Sequence, residues 1–235
     1  MPFFMPFFML FIAVAFLYAG GSYGGNAWVL AWPAAAFVVV ALAYARIDAR
    51  MLGKRPDGTL RGVVIAPLLP YFLLAWGVWH LKRLFYPERV WDEVAPGLFL
   101  GRRAYLGELP EKIGLVVDLT AELTEPADVR ALGQYRCVAT LDHEALSEDP
   151  LIEIVREVAA TTERTYVHCA LGHGRSALVA AGVLIARGLA ADVDSAEKAL
   201  KARRPLVRLS GPQRRMLARV LDRIRPPSTS PKPEA

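Results

Sequence analysis

His168-Cys169-Ala170-Leu171-Gly172-His173-Gly174-Arg175-Ser176 lies between a strand-like run, Thr165-Tyr166-Val167, and a helix-like run over residues 177–187. A cysteine and an arginine six positions apart therefore bracket a glycine-containing loop that opens a helix. The first N–H groups of a helix have no internal partner, and the helix dipole adds positive potential there. A loop wrapped around that end can aim several N–H groups at one anion. Gly172 and Gly174 let the backbone approach a ligand closely. Arg175 supplies a planar fork that can take two phosphate oxygens at once. The same field lowers the pKa of Cys169, so that a thiolate exists at neutral pH. A thiolate beside a captured phosphate is a nucleophile aimed at phosphorus.

Outward from this loop, the chain after Trp91 reads as a soluble α/β unit. Leu98-Phe99-Leu100 is a short strand, Leu115-Val116-Val117-Asp118-Leu119 a buried one, and residues 135–141 another. Residues 151–162 have helical periodicity. Three helical runs follow the loop, over 177–187, 194–203 and 213–224, with Gly188 and Pro205 ending the first two. Strands alternating with helices imply a mostly parallel central sheet flanked by helices on both faces.

His168-Cys169, five intervening residues and Arg175-Ser176 resemble the signature of the protein tyrosine phosphatase superfamily, the cysteine-dependent phosphatases. The surroundings resemble its dual-specificity branch: Pro96-Gly97-Leu98-Phe99-Leu100-Gly101 is similar to its opening strand, and Arg203-Arg204-Pro205 followed by Gln213 to its closing helices. The resemblance covers about residues 92–225. It implies the cysteine-phosphatase fold and a role for each matching residue. Cys169 attacks phosphorus and forms a cysteinyl-phosphate. Arg175 binds the equatorial oxygens, together with the loop residues Ala170, Leu171, Gly172, His173 and Gly174. Ser176 donates to Cys169 and helps it leave in the second step, and His168 orients the loop without moving a proton.

A general acid is also required, because the leaving alkoxide must be protonated. The family places an aspartate on an upstream loop after a strand. Asp142, 27 residues before Cys169, fits that place, with Glu144, Glu148 and Asp149 as rivals on the same loop. Some lipid-directed members carry a basic residue where His173 stands, so His173 is either a second anion contact or an exposed loop histidine. Asp118 is expected to accept internal hydrogen bonds, Cys137 to be core, and Arg102-Arg103 to line an anionic surface or be solvated.

The first 85 residues have a membrane composition of Phe, Leu, Val, Ala and Trp. Residues 3–18 are one apolar run, Gly20-Gly21-Ser22-Tyr23-Gly24-Gly25-Asn26 a turn, and 27–47 a second run long enough to span a bilayer. The first two runs read as an uncleaved hairpin, a cleaved signal being the alternative. Arg46, Arg50, Lys54, Arg55 and Arg61 crowd the next connection and place it in the cytoplasm. A third run, 62–81, is interrupted by Pro67 and Pro70, and its Trp76, Trp79 and His80 suit an interface. If it spans, the basic loop and the catalytic unit lie on opposite sides. If it is re-entrant or interfacial, both are cytoplasmic. The expectation is therefore two or three transmembrane or membrane-embedded helices over residues 1–85, a catalytic domain over 91–225, and a disordered Pro-, Ser- and Lys-containing tail over 226–235.

The formal charge of +5 beside apolar spans points to an anionic membrane surface, and no nucleic-acid motif is visible. Two cysteines, Cys137 and Cys169, make neither a disulfide framework nor a metal-ligand spacing. The chemistry implied needs no metal or other cofactor, and a working thiolate needs a reducing compartment, so the catalytic domain is expected to face the cytoplasm. The expected substrate is a phosphorylated lipid presented at the bilayer. The alternatives are a protein phosphatase for phosphotyrosine, phosphoserine or phosphothreonine, and a non-catalytic phosphate-binding scaffold. A sulfurtransferase would use neither Asp142 nor the Gly-x-Gly-Arg-Ser ending.

Overall fold

The structure is a computed structural model that describes residues 4–23, 25–46, 48–85 and 88–225, with only the backbone of Phe4 and Trp28. The expected tail, 226–235, lies outside the described residues. In chain order the elements are α1 (Phe4–Tyr23), α2 (Ala31–Arg46), α3 (Gly62–Phe85), β1 (Trp91–Ala95), β2 (Leu98–Arg102), β3 (Leu115–Thr120), α4 (Ala127–Arg130), β4 (Gln134–Thr140), α5 (Glu148–Ala160), β5 (Thr165–Cys169), α6 (Arg175–Ala186), α7 (Val193–Arg203) and α8 (Gly211–Ile224).

The strands form one sheet in the order β1-β2-β5-β3-β4. Only β1 and β2 pair antiparallel, as a hairpin; β2 with β5, β5 with β3 and β3 with β4 are parallel. β3 and β5 are buried at every residue, as continuous apolar runs in a parallel sheet require. β1 escapes the sequence pattern because its Trp-Asp-Glu-Val-Ala alternates poorly and carries two acids. Helix α6 is buried from Arg175 through Ile185 and packs between the sheet and α5, α7 and α8. Each fully buried Leu or Val there contributes roughly 1.5–3 kcal/mol. The opposite face carries a smaller cluster that includes Phe99, Ile113, Val116, Tyr166 and Val129 of the short α4.

α1, the stretch from Gly25 through α2, and α3 are each long and apolar enough to cross a membrane. Two expectations change here. α1 runs on through Gly20, Gly21 and Ser22, where a turn was expected; at Gly20 a Cβ would crowd the Ala27 carbonyl oxygen at 3.1 Å. α3 is continuous through Pro67 and Pro70. Each proline deprives one carbonyl a turn back, Val63 or Ala66, of its helical donor. The buried Leu68, Tyr71 and Phe72 hold the helix regardless, in one cluster with α2 and with Ala121 and Leu141 of the α/β unit.

The parallel strands β3, β4 and β5 all end at one edge of the sheet. Three loops leave that edge: Ala121–Pro126 after β3, Leu141–Ser147 after β4 and Ala170–Gly174 after β5. In open α/β sheets this carboxyl edge is where ligands bind.

Candidate active site

The loop between β5 and α6 has its carbonyls committed outward. The Cys169 oxygen accepts from the Arg103 N–H at 2.7 Å, Ala170 from the indole N–H of Trp79 at 3.0 Å, and His173 from the Arg208 N–H at 2.9 Å. Arg204 holds two more, donating to Leu171 at 3.0 Å and to Gly172 at 3.1 Å. Arg204 is fully buried and also bonds Asp92, so it acts as a fixed post behind the loop. A loop whose carbonyls all have outside partners has its amides left for an anion. Gly172 is indispensable to this path: its φ is +81°, and a Cβ there would sit 2.5 Å from the Gly101 carbonyl.

Cys169 is 3% exposed and stands at the centre. Its Sγ accepts from the Gly172 N–H and from the Ser176 hydroxyl, both at 3.3 Å. Burial raises the Cys169 pKa, but the Arg175 charge and the Ser176 hydrogen bonds outweigh it, so the net shift is downward. Ser176 is thus placed on the sulfur, and Arg175 supplies the largest favourable charge.

Arg175 is 1% exposed, and both of its terminal nitrogens are engaged. Nη1 donates to Glu122 Oε2 at 2.9 Å and to the Thr140 carbonyl at 2.8 Å; Nη2 donates to Glu122 Oε1 at 2.7 Å. The Glu122 carboxylate therefore grips the guanidinium two-pronged, the geometry that makes Arg–carboxylate pairs rigid. Asp142 Oδ1 lies 3.3 Å from Nη2. Nε is buried without a hydrogen-bond partner among the described residues, a donor in place for a phosphate oxygen.

Of the four acids expected on the β4–α5 loop only Asp142 and Glu144 lie on it, and of the four Asp142 alone pairs with Arg175 among the described residues. Its side chain is 51% exposed, as proton exchange with a leaving group needs. Burial raises its pKa, while Arg175 and then His143 lower it further, for a net downward shift. Glu144 is buried, and burial raises its pKa. Glu148 and Asp149 sit in the first turn of α5, paired with Arg223. The Asp142 loop is tied to the start of α8, where the Ser210 hydroxyl donates to the His143 carbonyl at 2.8 Å and the Gln213 amide to Glu144 at 3.0 Å.

His168 is buried at the end of β5, with its ring stacked on Tyr166. Burial pushes its pKa down to about 4, so it is neutral at pH 7. It comes together with Asp118 and Glu125, which offer ligand atoms within 4.8 Å of one another. Cations already fill that space. The Lys54 ammonium donates to Asp118 Oδ2 at 2.8 Å, to the Thr120 hydroxyl at 3.1 Å and to the Leu123 carbonyl, and Arg103 faces Glu125 at 3.3 Å. Asp118 does accept internal hydrogen bonds, from the Thr120 N–H and the Tyr135 hydroxyl. Cys137 is half-buried in β4, and burial pushes its thiol up to about 12.

His173 does not turn toward Cys169: its Nε2 is 2.7 Å from Glu88, which also pairs with Arg204. Beside it lies a pocket of about 280 Å³ lined by Trp79, Lys82, Arg83, Arg102, Leu171 and His173, among others. Arg102 is therefore at a pocket wall, paired with Glu108, while Arg103 is turned inward.

Several groups at the site escaped the sequence. Glu122 stands just past a buried strand, at the edge where α/β sites form, and that position was its only signal. Trp76 and Trp79, expected at a lipid interface, instead donate to Glu122 O at 3.0 Å and Ala170 O at 3.0 Å. The reason is that a buried carbonyl needs a donor, and the indole offers one with an apolar body. Tyr44 of α2 and Tyr71 of α3 stand close enough to Asp142, Glu122 and Arg175 to feel their charges.

No family model matches the chain, and no curated protein matches it. Solved structures share its fold. PTPMT1, crystallised with PI(5)P, superposes with a TM-score of 0.52 at 18% identity over 57% of this chain and 96% of that one. The active form of Tk-PTP gives 0.50 at 24% identity over 59% and 99%, and its G95A mutant form 0.50 at 25% over 57% and 95%. The α/β unit thus has the fold of PTPMT1 and Tk-PTP, the cysteine-phosphatase fold, and the matched shares leave over two fifths of this chain outside the likeness.

Proposed function

We propose that the chain is a membrane-anchored, cysteine-dependent phosphatase that hydrolyses the phosphate monoester of a phospholipid headgroup on the cytoplasmic side. The observation that carries it is the convergence on Cys169 Sγ of the Gly172 N–H and the Ser176 hydroxyl, with Arg175 six residues on clamped by Glu122. That arrangement stabilises a thiolate and an anion beside it.

The steps follow from the groups present. The headgroup phosphate enters the loop and takes Arg175 Nε and the loop amides. The Cys169 thiolate attacks phosphorus, forming an S–P bond as the P–O bond to the lipid alcohol breaks. Asp142, protonated in the complex, gives its proton to the departing oxygen. Water then attacks the cysteinyl-phosphate while Asp142 takes up its proton. Inorganic phosphate leaves, and the Ser176 hydroxyl stabilises the returning thiolate.

A lipid substrate draws support from the apolar helices, which share one buried cluster with residues of the loops around the site. It also draws support from Lys82, Arg83 and Arg102 lining the pocket beside the loop, which suit the rest of an anionic headgroup. PTPMT1, of like fold, was crystallised with the phosphorylated lipid PI(5)P. The test is the full-length chain in vesicles, assayed for phosphate release from phosphorylated lipids against phosphopeptides. Faster turnover of the lipid, abolished by Cys169→Ser, is expected. Preference for phosphopeptides would transfer the same chemistry to a protein substrate.

A further inference from the structure

The basic connection between α2 and α3 is bound to the α/β unit. Lys54 enters it to pair with Asp118, both side chains being wholly buried. The Glu125 N–H donates to the Gly58 carbonyl at 2.9 Å, and Arg130 donates to the Asp57 carbonyl at 3.2 Å. Gly58 has φ +79°, and a Cβ there would meet the Tyr135 hydroxyl at 2.3 Å, so the loop lies flush on the domain. Arg61 and Val64, where α3 begins, are in turn fixed to Gly53. Further along α3, Trp76 bonds Glu122, Trp79 bonds Ala170 and Arg83 pairs with Glu108 at 2.9 Å.

Both ends of α3 are therefore fastened to the same water-soluble unit. A helix of 24 residues is about 36 Å long. To cross a hydrocarbon core about 30 Å thick, its ends must emerge on opposite sides, and the α/β unit would then have to straddle the bilayer. Its charged loops and its sheet, with an open edge at β4, forbid that. The outward face of α3 is nonetheless apolar: Val63, Leu73, Leu74, Val78, Leu81 and Leu84 are exposed at helical spacing, with Lys82 and Arg83 only at the last turn. α1 and the stretch from Gly25 through α2, which packs against α3, are likewise apolar, with mean hydropathies of 1.8 and 2.0.

We propose that α3 does not span the bilayer but lies in the plane of its cytoplasmic face. Its outer stripe contacts the acyl chains of an anionic phospholipid leaflet, and its inner face holds the phosphate loop through Trp79. The apolar composition that makes α3 resemble a span has two causes, lipid on one face and the domain on the other. The basic α2–α3 connection and the catalytic unit are then both cytoplasmic, in agreement with the charge of that loop. This inference rests on the membrane placement proposed above and not on the catalytic chemistry.

The experiment uses full-length single-cysteine chains in a Cys137→Ser/Cys169→Ser background, in sealed inside-out vesicles from expressing cells. The exposed positions Arg55→Cys, before α3, and Arg89→Cys, after it, are treated with a membrane-impermeant maleimide. Both should label fully without detergent. Leu73→Cys, on the outer face, should label only after detergent and should be quenched by a lipid-borne nitroxide when it carries a fluorophore. Labelling of Arg55→Cys and Arg89→Cys from opposite sides would overturn the inference. So would detergent-free labelling of Leu73→Cys in chains that remain with the vesicles. Chains that wash off the vesicles with all three positions reactive would instead overturn the membrane placement itself.

Discussion

The indole N–H of Trp79 donates to the carbonyl oxygen of Ala170 at 3.0 Å, which ties the third apolar helix to the residue that follows Cys169. Trp79 is itself flanked by the guanidinium groups of Arg83 and Arg103, at 5.7 and 5.0 Å from its ring centroid. A helix whose outer face is apolar thus reaches the loop after Cys169 with its inner face. Trp79→Phe keeps the aromatic packing and removes the donor. A neutral hydrogen bond contributes about 0.5–1.5 kcal/mol, so kcat/KM should fall about two- to tenfold. Steady-state kinetics in vesicles should place the loss mainly in kcat, with the acid limb of the pH profile moved upward as the loop loosens around Cys169. An unchanged profile and kcat would show that Trp79 packs without positioning.

Glu122 and Arg175 form the two-pronged pair at the centre of the site, and removing the Glu122 charge leaves the buried Arg175 with only the half-exposed Asp142 as a carboxylate partner among the described residues. Glu122→Gln should cost roughly 2–5 kcal/mol in transition-state binding, about 30- to several thousand-fold in kcat/KM. Competitive inhibition by inorganic phosphate should weaken in parallel, because Arg175 would lose its fixed orientation. Wild-type phosphate inhibition in Glu122→Gln would assign Glu122 to stability alone.

The pH–rate profile follows from two groups. Turnover needs Cys169 ionised, so the rate rises with pH through the thiol pKa, which is lowered. It also needs Asp142 protonated, so the rate falls as pH rises through the Asp142 pKa, lowered mainly by Arg175. The profile should be bell-shaped with its maximum on the acid side of neutrality. Asp142→Asn should abolish the alkaline limb and slow alkyl phosphates far more than aryl phosphates with good leaving groups. Equal losses on both classes would move the acid to a neighbour such as Glu144.

The placing of Ser176 and Arg175 around Cys169 is legible in the sequence because the loop is local, inside nine consecutive residues. The strands and helices of the α/β unit are legible because each carries its own period. What the sequence does not disclose acts over distance. Glu122 stands 53 residues from Arg175, Lys54 stands 64 from Asp118, and Trp79 stands 91 from Ala170. No periodicity encodes such pairs. Trp79 reads as a lipid-interface residue because the same amphipathic ring that suits a headgroup region also suits a buried carbonyl. His173 reads as either an anion contact or an exposed loop histidine because nothing nearby in sequence reveals Glu88, 85 residues away, as its partner.

Lys54 and Asp118 are a buried pair that joins the α2–α3 connection to the sheet. Lys54→Met leaves a carboxylate buried with its largest charge partner gone and should cost about 3–5 kcal/mol. Lys54→Met/Asp118→Asn removes both charges and should recover most of that loss. Urea unfolding of the full chain in detergent, followed by near-ultraviolet circular dichroism, measures both. Equal stability of the double and single variants would mean the pair is not coupled.

His168 makes the fold acid-sensitive. Its pKa falls from 6.5 to about 4 on folding, so the unfolded chain binds a proton that the folded chain refuses. Stability is therefore full above pH 6.5 and declines as pH drops toward 4, by about 3 kcal/mol from this group. His168→Gln should flatten that decline in the same unfolding experiment. A decline of undiminished slope would place its origin elsewhere.

The most direct measurement is rapid acid quench of the full-length chain in vesicles mixed with a phospholipid labelled with ³²P at its headgroup monoester. The expected result is a transient protein-bound phosphate that maps by peptide analysis to Cys169, accumulates in Asp142→Ala/Ser176→Ala when an activated aryl phosphate is used, and is absent from Cys169→Ser. Lipid phosphate released at the wild-type rate by Cys169→Ser, with no label on the chain, would contradict the assignment of this site as a cysteine-dependent lipid phosphatase.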